Sequence, residues 1–124
     1  MQVAIFRKFF QNNMQEKERE QTYQLLKNFY ASFFSDIYNE RNIGRYKPLR
    51  DAIALVLGHF DSNNHPMEYA AKLALYLPAK ASLNQLRFTK EQQELLTKLT
   101  RLTRRVKLNF VYLSPLDSIN QFSF

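Results

Sequence analysis

From Glu16 onward, apolar residues return at steps of three and four along the chain. Tyr23, Leu26, Tyr30, Phe33 and Ile37 form one stripe of a 3.6-residue period, widened by Phe29 and Phe34. The pattern predicts a helix that fades near Asn39–Gly44. A second helix is expected near Pro48, a proline suited to a first turn because its missing N–H would be unpaired there anyway. Leu49, Ile53, Val56 and Phe60 are its inner stripe, with Ala52 and Leu57 alongside, and it should stop in the turn-forming run DSNNH. Pro66 marks the first turn of a third helix, whose face runs through Met67, Ala70, Leu73, Ala74 and Leu77. Pro78 is expected to end or kink it, leaving AKASLNQ as a connection. In the fourth segment Thr89 stands three residues before Gln92, the spacing of a capping box. Leu95, Leu99, Leu102 and Val106 are its predicted buried stripe.

Four amphipathic helices with short polar connections predict an all-α fold, an antiparallel four-helix bundle. The residues after Asn109, FVYLSPLDSINQFSF, lose the helical period yet keep Phe110, Tyr112, Leu116 and Phe122. That is too apolar for a solvated terminus, so the tail is expected to fold back along the bundle. The first residues, MQVAIFRKFFQNN, precede the charged run that opens at Met14. Residues 1–13 are therefore set apart as an extension, or as sequence upstream of a translation start at Met14. Residues 14–124 form the single bundle domain.

Charge adds a second layer. The 124 residues carry 18 Lys and Arg against 11 Asp and Glu, a net +7, which implies an anionic partner: nucleic acid, lipid headgroups or an acidic protein surface. There is no cysteine, so disulfides and thiolate chemistry are excluded. Two glycines are too few for an all-β architecture built on hairpins. No run approaches the roughly 20 apolar residues of a membrane span, and VAIFRKFF makes a poor signal peptide because its charges lie inside the apolar stretch. A cytoplasmic location is expected, with a fraction at the inner face of the membrane.

No catalytic constellation is visible. His59 and His65 are spaced so that they do not share a helical face, and both are expected as solvent-exposed residues at a helix end and in a loop rather than as metal ligands. No glycine-rich phosphate loop exists. Glu16 and Glu20 fit a solvated helix start. The chain is therefore expected to act without enzyme activity, metal or cofactor. The distinctive feature is the basic end of the fourth segment: Lys98, Arg101, Arg104, Arg105 and Lys107, with no carboxylate between Glu94 and Asp117. At about 100° per residue, Lys98, Arg101 and Arg105 fall on one flank beside the leucine stripe. A solvated, dipole-friendly helix end would have the same composition. A small basic nucleic-acid-binding bundle is the alternative reading. The exposed face is mostly Thr, Lys and Arg, so specificity for base edges is not supported. Attraction to anionic lipid would amount to about 1 kcal/mol per cation. With the leucine stripe committed to the core, such binding would be peripheral and salt-sensitive.

The last third of the chain, LRFTKEQQELLTKLTRLTRRVKLNFVYLSPLDSINQF, resembles the C-terminal half of pediocin-like (class IIa) bacteriocin immunity proteins, the enterocin A immunity family. The resemblance is carried by Arg87-Phe88-Thr89, Gln92, Glu94-Leu95-Leu96, the basic-ended helix, Asn109, Tyr112, Asp117 and Gln121-Phe122. It extends more loosely back to Met14, and departs from the family at the N-terminal extension and at Pro78. It implies a four-helix antiparallel bundle with a structured tail and a cytoplasmic protein, and a monomer is expected. It further implies binding, from the cytoplasmic side, to the complex that a bacteriocin forms with the membrane components of the mannose phosphotransferase system. On that reading Lys98, Arg101, Arg104, Arg105, Lys107, Phe110, Tyr112, Asp117 and Phe122 form or support the recognition surface.

Overall fold

The computed structural model describes residues 2–108 and 119–123, and for residues 2–13 the backbone alone. The architecture is all-α: α1 (Gln2–Ser32), α2 (Ile43–Asp61), α3 (Pro66–Leu83) and α4 (Lys90–Thr103), followed by a 3₁₀ turn at Ile119–Phe122. Each helix packs on its sequence neighbours, and α1 also closes on α4. Neighbours run antiparallel. Phe33 at the end of α1 meets Tyr46 at the start of α2, whereas Arg19 reaches Phe60 at the far end of α2. Similarly, Arg45 bonds to Asn84 while His59 stacks on Tyr69.

The two poles of the bundle differ in chemistry. At one, Phe29, Phe33, Tyr38 and Tyr46 form a chain of ring contacts with centroids 5.0–6.4 Å apart, and Phe88 adds an edge against Phe29. At the other, the Arg19 guanidinium donates to the Phe60 carbonyl at 2.8 Å and Tyr23 OH donates to the Asp61 carboxylate at 2.9 Å. That bond raises the Tyr23 pKa above its ordinary value, because the phenolate would face the Asp61 charge. Residues before Arg19 continue α1 past the end of α2, about 25 Å of helix at 1.5 Å per residue. The helix runs without a break from Gln2 through Met14.

The proline-based boundaries need correction. α2 begins at Ile43, five residues before Pro48, and the added turn is held by tertiary bonds from Arg45 to the Asn84 carbonyl (3.0 Å) and from Tyr46 OH to the Arg87 carbonyl (3.3 Å). The carbonyl that Pro48 cannot pair belongs to Gly44, which is exposed to solvent. α3 likewise passes through Pro78, whose ring faces solvent, and ends at Leu83. Buried Ala81 anchors that last stretch, so residues 79–83 are helix rather than connection.

Two helix ends explain how the chain manages with so few glycines. After α2, the Asn64 N–H donates to the His59 carbonyl and the Asn63 N–H to the Phe60 carbonyl, with Asn63 left-handed at φ 53°. After α3, the Leu86 N–H donates to the Ala81 carbonyl and the Gln85 N–H to the Ser82 carbonyl, with Gln85 at φ 55°. Both are Schellman closures, the second sealed by the buried side chains of Ala81 and Leu86. Asparagine tolerates the left-handed region, whereas glutamine is strained there.

The first stripe holds in Leu26, Phe29 and Phe33, all buried, with Tyr23 and Tyr30 half-buried beside them. It fails at its end. α1 stops at Ser32, and Phe34 and Ile37 are 60% and 56% exposed. The Ser32 hydroxyl donates to the Phe29 carbonyl and accepts from Gln92, while Tyr38 swings back over Phe33. Asn39 and Asn42 lock the intervening loop, each side-chain carbonyl accepting a backbone N–H of the other residue.

The α4 capping box is formed as expected. Gln92 N–H donates to Thr89 Oγ1 at 3.1 Å and Thr89 N–H to Gln92 Oε1 at 3.0 Å. Gln92 is also fully buried, and its amide donates to Ser32 Oγ (3.0 Å) and Tyr38 OH (2.8 Å). The inward face of α4 is therefore Gln92, Leu96, Leu99 and Thr103. Leu95, Leu102 and Val106 are only half-buried, a correction to the predicted stripe. Thr103 joins the core because its hydroxyl donates to the Leu99 carbonyl at 2.8 Å.

Three outcomes follow in urea denaturation. Gln92→Leu, which strips the partners from Thr89 N–H, Ser32 and Tyr38, should cost about 2 kcal/mol, and Gln92→Glu should cost more because it buries a charge. Gln85→Gly should stabilise the fold by about 1 kcal/mol by relieving the left-handed strain.

Candidate functional site: the cationic flank of α4 and the docked C-terminal turn

The basic residues singled out in the sequence divide into two groups. Lys98 and Arg101 stand exposed on α4 along its border with α1. α4 ends at Thr103, so Arg104 and Arg105 lie in the closing turn and Lys107 beyond it, rather than on a continued helix. Arg105 and Lys107 line a recess of about 1510 Å³ at the polar end of the bundle. Its other walls carry Glu16, Glu18 and Glu20 of α1 and Glu68 at the start of α3, so the two signs are mixed there. The ion pairs among the described residues are Arg50–Asp51 at 3.6 Å and His65–Glu68 at 3.9 Å, and the latter carries charge on both sides only when the imidazole is protonated. None of the five basic residues pairs with a described carboxylate, so their charge is directed outward.

The α1–α4 border is a trough of about 690 Å³. Half-buried Leu95 and Leu102, displaced from the core by the inward rotation of Gln92, form its floor with Leu25. Lys98 and Arg101 stand on the α4 side and Lys17 on the α1 side. Gln21, Gln24 and Asn28 supply uncharged polar walls, and Glu20 accepts a hydrogen bond from Gln24 at 3.1 Å.

The C-terminal turn lies on the opposite side of the bundle, against α2 and α3. Phe122 is 1% exposed and meets Tyr76 edge-on at 5.2 Å. Its carbonyl oxygen is 2.8 Å from His59 Nε2, which therefore carries the proton and donates. The His59 ring stacks on Tyr69 with centroids 3.8 Å apart. His59 is thus buried, contrary to the exposed position expected for it, and it acts as the peg that holds the tail. No motif marks this role, because the partner is a backbone carbonyl 63 residues away. His65 is exposed as expected, at the start of α3 with φ 47°. Phe122 belongs to the core and does not present its ring to solvent. Phe110, Tyr112 and Asp117 lie outside the described residues.

Lys72 of α3 is also buried, and burial lowers its pKa from the ordinary lysine value. Among the described residues no group of His, Asp or Glu is placed to hold a metal ion, and no helix is long and apolar enough to cross a membrane. No protein-family model, curated protein or solved structure matches the chain. The chemistry on display is a pair of exposed cations, Lys98 and Arg101, with no described carboxylate partner, beside an apolar trough.

Phe122→Ala should cost about 3–4 kcal/mol in urea unfolding, the price of emptying a buried aromatic site. His59→Phe keeps the stack on Tyr69 but loses the bond to the tail, and should cost about 1 kcal/mol. Limited proteolysis should then cut the C-terminus of both variants faster than that of the parent protein.

Proposed function

We propose that the chain is an immunity protein against a pediocin-like bacteriocin, acting in the cytoplasm by binding rather than by catalysis. Its target on this reading is the complex of the bacteriocin with the membrane components of the mannose phosphotransferase system. The observation that carries the proposal is the exposed charge of Lys98 and Arg101, which no described carboxylate pairs, beside an apolar trough on the helix that bears the family-like motif. The antiparallel four-helix bundle and the C-terminal turn seated on it agree with the architecture the resemblance implies. Arg104 is exposed in the turn that closes α4, and Arg105 and Lys107 face the mixed-charge recess beside it. A protein of net charge +7 also gains long-range attraction to the anionic inner face of a membrane, where such a complex would be met.

Expression in a bacteriocin-sensitive strain, with growth measured against a panel of pediocin-like peptides, tests the proposal. Protection against at least one peptide is expected. Loss of that protection on charge reversal of Lys98, Arg101 and Arg105, with stability changed by less than about 0.5 kcal/mol, would tie it to the cationic flank. A well-expressed protein that protects against no peptide of the panel overturns the reading.

A further inference from the structure

We infer that the trough between α1 and α4 is a docking groove for an amphipathic helix whose apolar stripe is flanked by carboxylates. The inference rests on the immunity reading only for the cellular identity of the partner. The physical case is separate. The groove follows two antiparallel helices from Lys17 to Asn28 on α1, a length of about 16 Å, or three turns of a helical ligand. A channel between two helix ridges accepts a third helix by the packing that builds bundles. The apolar floor of Leu25, Leu95 and Leu102 calls for side chains spaced i, i+3 or i+4, and i+7.

Charge decides which helix. Lys17, Lys98 and Arg101 stand along the rims, and Glu20 is the carboxylate among the described lining residues. Glu20 is already engaged by Gln24. The rims therefore favour acidic flanks and disfavour basic ones. A second copy of this chain, with its own +7, brings the wrong sign. The described part of the chain's own tail is seated on the α2–α3 side, away from the groove. An anionic lipid surface shares the charge preference but not the shape, because the apolar floor is recessed between helices. The large exposed apolar side chains that would enter a bilayer, such as Phe34, Leu55 and Leu75, do not line it.

The test uses the purified full chain, isotope-labelled, and two synthetic helical peptides of about 14 residues, the three turns that fit the groove plus a residue or two at each end. Both carry leucine at i, i+3, i+4 and i+7, one with glutamate flanks and the other with lysine. The glutamate peptide should bind about tenfold or more tightly than the lysine peptide. NMR shifts should centre on Leu25, Leu95 and Leu102, and the affinity should weaken as salt is raised. The double variant K98E/R101E should lose about tenfold for the glutamate peptide and gain for the lysine peptide. K98Q/R101Q, checked by circular dichroism for an intact fold, should fall between them. Equal affinity for the two peptides, absence of binding, or shifts centred elsewhere overturn the inference. So does binding to phosphatidylglycerol vesicles without binding to the peptide. Contacts from residues 109–118 to Leu25 or Leu95, or a concentration-dependent dimer through this face, would assign the groove to the chain itself and also overturn it. The protection assay separates the two proposals. Selective peptide binding without protection keeps the groove and removes the immunity reading. Protection that survives K98E/R101E keeps immunity and removes the groove as its contact.

Discussion

A single buried amide, that of Gln92, sets the register on which much of the bundle depends. An amide cannot be buried without partners for its donors and its acceptor. Gln92 finds them in Thr89 N–H, Ser32 Oγ and Tyr38 OH, which belong to three separate stretches of chain. The same side chain therefore closes the α4 capping box, fixes the end of α1 and draws the following loop over the aromatic pole. Because the side chain must point inward, α4 is rotated so that Leu96, Leu99 and Thr103 follow it into the core. Leu95 and Leu102 move to the border with α1, and Lys98 to its rim. A constraint on one hydrogen-bonded group thus decides which leucines remain available to a partner.

The tail is secured by a comparable arrangement on the far side. The His59 imidazole is pinned by stacking on Tyr69 and by one hydrogen bond to the Phe122 carbonyl, and the Phe122 ring fills a site beside Tyr76. The bundle therefore has one long face, α2–α3, occupied by the described C-terminal turn, and an opposite face, α1–α4, with a trough that no described residue fills. Residues close together in the sequence, such as Arg101 and Arg105, are assigned to different environments because α4 ends between them. The positive charge is consequently spread over a groove and a mixed-charge recess.

The architecture was legible because each helix carries its own period of apolar residues, and burial of such a stripe is a local pattern with a global consequence. The inner positions of α2, the proline at the start of α3 and the Thr89–Gln92 box are all where the periodicity and spacing put them. What misled were residues whose local preference was outvoted. Pro48 and Pro78 are helix breakers by propensity, yet bonds from Arg45 and Tyr46 and the burial of Ala81 carry the helices past them. Phe34 and Ile37 fit the first stripe, yet the chain has turned before it reaches them.

The sequence by itself determined that the chain is an all-α bundle, that it is strongly basic, and that the cations gather after Glu94. Periodicity and composition are properties of the chain, and they survive whatever the helices pack against. Only the tertiary structure decided which side of α4 faces inward, because a glutamine in an apolar segment reads as surface until its three partners are in place. It likewise decided that His59 is buried, since its partner is a carbonyl distant in sequence. The separation of Lys98 and Arg101 from Arg105 and Lys107 is tertiary for the same reason: the point at which a helix ends is a balance between its own turn and the neighbours that replace it.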